Sequence, residues 1–219
     1  STMTGETSED TCLQCGAGKF SAARGAVSNR TFVDCGRGKY ADTRGNGAES
    51  QCLSCPQGKF STDPGAQSLL SCINCAAGTF STATGNDSED DCLQCSRGKY
   101  SVSTGASSAA SCQDCEYGKY SPVLGADSAA TCLSCGAGKY STSTGNQVEA
   151  DCVSCVAGTY SSVIGASTAD TCVPCVAGSF STVTAADSID TCNLCAEGKY
   201  GEATGASRAD ACQDCQAGT

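Results

Sequence analysis

The sequence predicts a small disulfide-rich β fold: an elongated rod of eleven tandem 20-residue hairpin-like repeats, with little regular secondary structure and no helices of note. Three observations predict it. The chain carries 21 cysteines in 219 residues, a C-x-x-C pair returns every 20 residues, and glycines recur at two fixed offsets within each period. Cysteine at roughly a tenth of a chain marks a disulfide scaffold or a metal array. Residues 1–219 read as one tandem-repeat array, without an insertion or deletion to break the period.

The pairs run from Cys12/Cys15 through Cys52/Cys55 and Cys72/Cys75 to Cys212/Cys215, and one slot is damaged, where Phe32 precedes Cys35 in place of a first cysteine. One glycine column begins at Gly18, three residues after the second cysteine. The other follows the Gly5, Gly25, Gly45 register, with Ala185 as its exception. Glycine reaches positive φ without steric cost, so both columns predict turns. Between them lies a β-compatible K-Y-S segment, with ten of the twelve aromatics in one column from Phe20 to Tyr200 and all seven lysines directly before it. Two glycines and many Ser/Thr per period leave no room for an amphipathic helix. Chained units of this kind form a quasi-one-dimensional array in which each touches mainly its neighbours. The period is cut at both termini, which predicts a window from a longer array.

Two disulfide registers compete. In the first, the second cysteine of one pair bonds the first of the next: Cys35–Cys52, Cys55–Cys72, Cys75–Cys92, Cys95–Cys112, Cys115–Cys132, Cys135–Cys152, Cys155–Cys172, Cys175–Cys192 and Cys195–Cys212. Cys12, Cys15 and Cys215 are then unpaired in this window. In the second, each pair closes on itself and leaves Cys35 free. Loop entropy favours the first, because a bond across such a stretch is worth on the order of 3 kcal/mol in the chain-entropy model. A unit with one aliphatic and one aromatic residue needs such a staple. A four-cysteine zinc array also fits the spacing, although zinc would group units in twos and no 40-residue alternation is visible. No cofactor and no metal site is expected.

Composition excludes several classes of function. No histidine is present, which removes imidazole bases, cysteine–histidine pairs and C-x-x-C-H haem attachment. A formal charge of −10 lacks the basic footprint of a nucleic-acid binder. No apolar run approaches the length of a membrane span. Paired carboxylates occur without an apolar pocket to raise a pKa, so no enzyme is expected.

The unit C-x-x-C-x-x-G-[KT]-[YF]-S-x-x-x-G-A-x-S, as in the runs Cys135 to Ser141 and Cys155 to Ser161, resembles the ephrin-receptor-like cysteine-rich repeat. That repeat is related in pattern to the first module of tumour-necrosis-factor-receptor cysteine-rich domains. The resemblance implies onward pairing of the second cysteine, in agreement with the first register. It also implies large algal or protist surface proteins, including flagellar-hair (mastigoneme-type) proteins, as the setting. The expected function is that of an extracellular, cell-surface structural protein: a filament or surface-appendage segment that self-assembles with other copies and carries glycans. The alternative is the stalk or ligand-binding ectodomain of a receptor or adhesin.

Side features complete the expectations. Each aromatic ring is expected to pack on its own disulfide rather than to form a sugar-stacking stripe. The lysines are expected to be solvated, some in weak cross-unit pairs. The Asp87–Asp91 cluster lacks a calcium-type ligand spacing. Two sequons, Asn29-Arg-Thr31 and Asn86-Asp-Ser88, predict N-glycans at Asn29 and Asn86. The serine column from Ser61 to Ser181 offers O-glycan positions or turn hydrogen bonds.

Overall fold

The computed structural model describes residues 13–24 and 28–216. The fold is the predicted class: ten two-stranded antiparallel hairpins, single 3-10 turns, and no α-helix among the described residues. Among the described residues nine disulfides join successive repeats, each closing a sequence separation of 17 with Cα atoms 5.6–5.9 Å apart.

One repeat explains the rest. Lys59 N–H donates to the Pro56 carbonyl across a turn that places Gly58 at φ 73°, the conformation that the third residue of a type II turn requires. The chain leaves this turn as the strand Lys59–Phe60 and makes a second turn at Gly65, also at positive φ. It then enters the 3-10 turn Leu69–Ser71. Cys72 ends that turn, its N–H bonded to the Leu69 carbonyl at 3.0 Å. The next two residues, Ile73–Asn74, pair back onto Lys59–Phe60, with Phe60 opposite Ile73 and Lys59 opposite Asn74. The two residues inside each C-x-x-C are therefore the second strand of the hairpin. Both cysteines of a pair flank one strand and serve different neighbours, which is why no pair closes on itself.

The chain divides into two units, Ser1–Cys95 with Ser101–Cys112, and Ser96–Tyr100 with Gln113–Thr219. In the first unit, Gly58 N–H donates to Ser81 O (2.9 Å), Ser61 N–H to Asn86 O (3.1 Å) and Gly85 N–H to Cys55 O (2.8 Å). In the second, Gly138 N–H donates to Ser161 O (2.7 Å), Ser141 N–H to Ala166 O (3.0 Å) and Gly165 N–H to Cys135 O (2.8 Å). The same three bonds at the same offsets thus hold both units. Contacts also reach past the adjacent repeat, which corrects the nearest-neighbour expectation. A Cβ on Gly58 would overlap the carbonyl oxygen of Gly105, two periods along, and one on Gly118 would overlap that of Gly165.

The interior is made of small groups. The largest fully buried side chains are cysteines and serines, among them Cys55, Cys115, Ser61 and Ser121. The aliphatic residue inside each C-x-x-C stays about half exposed, as at Leu53 (48 %) and Ile73 (53 %). It covers one side of the cross-strand aromatic rather than filling a core. Disulfides and backbone hydrogen bonds do the work that bulky side chains do elsewhere.

Candidate functional site: the repeat junction

The junction between repeats is the feature that recurs, and each recurring column of the sequence has a place in it. Phe60 is 7 % exposed and packs on Cys75 and Cys92. Phe20 packs likewise against Cys35, Ala41 and Cys52. These rings therefore cover the disulfide of the following repeat and not their own, a correction to the expected packing. The physical reason is the hairpin. Its second strand runs directly into the next cysteine, so the ring on the first strand lies over the bond that this cysteine makes.

The serine column is buried. Ser61, Ser101, Ser121, Ser161 and Ser181 are at most 1 % exposed, and the hydroxyl accepts from the N–H two residues on, as for Ser81 with Ala83 (3.4 Å) and Ser121 with Val123 (3.4 Å). Turn hydrogen bonding is the role the structure assigns, and the O-glycan reading fails on burial.

Asn46, Asn86 and Asn146 form a polar staple that sequence reasoning missed. The Nδ2 of Asn86, a residue only 7 % exposed, donates to Ser81 Oγ (2.8 Å), Lys59 O (3.3 Å) and Ala83 O (3.3 Å). Asn146 repeats the pattern with Ser141, Lys119 and Ser143. The signal available in the sequence was that this column holds only Asn or Ala across the described repeats, the two residue types this buried slot admits. The expected glycan at Asn86 is corrected accordingly: its amide nitrogen is buried and has three acceptors. Asn29 stands differently, exposed in the 3-10 turn Asn29–Thr31.

Each lysine of the column has a partner. Lys19 meets Asp34, Lys99 meets Asp114, and Lys199 meets Asp214 at 2.6 Å, all directly across a hairpin. Lys59 donates to Asn74 Oδ1 in the same register. Lys39 and Lys139 reach Glu49 and Glu149 at 2.8 Å, and Lys119 reaches Glu116 at 3.2 Å. These pairs are half-exposed and screened, so they set register more than stability. Lys39 holds the Glu49 carboxyl below its ordinary 4.5 by the hydrogen bond first and by its charge second. In the acidic cluster, Asp91 Oδ2 accepts from Asp87 N–H (3.0 Å) and Ser88 N–H (3.1 Å), so it caps the turn Glu89–Asp91.

Cys15 and Cys215 are the free cysteines among the described residues, and Cys12 lies outside them. Cys15 is 3 % exposed, its thiol directed at the carbonyls of Lys19 (3.3 Å) and Asn46 (3.4 Å). Among the described residues, no cluster of three or more His, Cys, Asp or Glu side chains could hold a metal ion. No described helix is long and apolar enough to cross a membrane. Compared with known proteins, the chain matches no family model and no curated protein. Nine disulfides fit a protein that folds in an oxidising compartment.

Proposed function

We propose that this chain is the repeat segment of an extracellular structural protein, of the ephrin-receptor-like cysteine-rich type, that builds a filament or surface appendage of the flagellar-hair kind and has no catalytic role. The observation that carries the reading is uniformity. The same hydrogen bonds, disulfide and buried small residues recur from one junction to the next in both units. A catalyst or a receptor needs one privileged site, whereas a scaffold needs many equivalent ones. Equivalent faces at a fixed interval let association propagate from copy to copy. Sparse bulky side chains and closely spaced disulfides suit a protein that works outside the cell, where covalent links persist. Asn29, exposed on its turn, is the position at which a glycan would decorate such a surface.

The test is electron microscopy of the purified, oxidised chain across a concentration series. Fibres or lateral bundles with a regular axial repeat are expected. Dispersed single strands at high concentration would overturn the filament reading and favour a receptor or adhesin stalk.

A further inference from the structure

The disulfides are not only staples; they form a continuous covalent short cut through the array. Successive closed loops do not overlap. Two residues separate the end of Cys55–Cys72 from the start of Cys75–Cys92, and so on along the chain. From Cys35 to Cys212 the shortest covalent path crosses nine S–S bonds and runs through peptide only inside each C-x-x-C. The 17-residue separations bridged by these bonds hang off that path as side loops. Pulling on the ends can disrupt a side loop but cannot lengthen the molecule through it.

One repeat departs from this. Between Cys15 and Cys35 no bond closes, because Phe32 stands where Cys52 stands one period later. Its described residues, 15–24 and 28–35, are folded all the same. Phe32 ends its 3-10 turn at φ −84°, ψ 123°, beside −74°, 115° for Cys52. Gly18 N–H donates to Ala41 O and Cys35 N–H to Gly18 O, both at 2.8 Å, as in the bridged repeats. Among its described residues hydrogen bonds, packing and the Lys19–Asp34 pair hold this link closed, without a covalent bond.

We infer that the chain is a tether of capped extensibility, in which the Phe32 repeat is the one link between Cys15 and Cys212 that tension can open to its full contour length. A stretched chain covers about 3.3–3.6 Å per residue, so the stretch from Cys15 to Cys35 reaches roughly 70 Å when opened, whereas a bridged repeat reaches roughly 16 Å. Opening the Phe32 repeat therefore lengthens the tether by at least about 50 Å, whereas each bridged repeat in that span can stretch no further than its roughly 16 Å limit while its disulfide is intact. The inference rests on connectivity alone and holds whether or not the chain forms filaments.

Single-molecule stretching of the whole oxidised chain, held by peptide tags at its two ends, tests this. One long step of at least about 50 Å is expected without reductant, and further steps of similar size, one per bond, once reductant is added. Phe32→Cys, with its bond to Cys15 verified by peptide mapping, abolishes the first step. Cys75→Ser with Cys92→Ser instead adds a second step of the same size in the otherwise oxidised chain, which keeps the test decisive if the Phe32→Cys bond does not form. Several steps of that size in the oxidised parent, no such step at all, or no added step in the double serine variant each overturn the proposal.

Discussion

Gly58 lies against Gly105 so closely that no Cβ fits between them, although two repeats of chain separate the pair. The carbonyl oxygen of Gly105 occupies the place where a side chain on Gly58 would be, and Gly58 is also at φ 73°. The two glycine columns are thus not equivalent. One is required by backbone conformation and by contact with the second neighbour, the other chiefly by conformation.

That difference yields a ranking. Gly98→Ala would place a Cβ 2.6 Å from the Gly145 carbonyl carbon, while a Cβ on Gly165 meets Ser134 Oγ at 3.2 Å, the end of a side chain that can turn away. Both substitutions pay for positive φ, about 1–2 kcal/mol, but only the first must also displace backbone. Hydrogen exchange should show wide loss of protection around Gly98 and Gly145 in Gly98→Ala, and local loss only in Gly165→Ala.

Ala185 is the converse case, the one non-glycine at positive φ among the described residues, at 54°. Its N–H donates to Cys155 O at 2.8 Å, as the glycines of that column do. Ala185→Gly removes the left-handed penalty and should stabilise that junction by about 1 kcal/mol. Slower exchange of the residue 185 amide is the expected readout, and unchanged exchange would argue against strain at this site.

Removing one staple should act locally. Cys75→Ser with Cys92→Ser opens a bond of sequence separation 17 and should cost about 3 kcal/mol in that repeat. The Phe60 ring, which packs on that bond, loses its floor. Limited proteolysis should cut first between residues 75 and 92, and full reduction should make every repeat susceptible.

Glycan mapping separates the two sequons. In protein secreted from a glycosylating host, a glycan is expected at Asn29 and none at Asn86, whose amide is committed to Ser81, Lys59 and Ala83. Asn86→Ala should be tolerated at a cost of about 1 kcal/mol, since Ala66 and Ala106 occupy the same slot in adjoining repeats.

Glu49 offers a pH test whose sign is fixed. Lys39 lowers its pKa in the folded chain below the ordinary 4.5. The contribution to stability is therefore present above 4.5 and is lost as pH falls through the lowered folded value. An NMR titration should find Glu49 titrating below a reference glutamate, and Lys39→Met should return it to the ordinary value.

Much of this molecule was legible in one dimension. The 20-residue clock fixed the repeat, the turns at Gly18 and Gly45 and their equivalents, and the small β character, because glycine, cysteine and aromatic positions answer to local chemistry. Loop entropy by itself favours onward pairing of the cysteines. What lay beyond the sequence depended on who the neighbours are. That Phe60 covers the next disulfide, that Ser81 and Asn86 are interior groups rather than glycan positions, and that Gly58 touches Gly105 all follow from how repeats stack. A repeated pattern states what each unit contains, but every unit carries the same letters. Only the three-dimensional path tells which copy of a column meets which, and that choice decides burial.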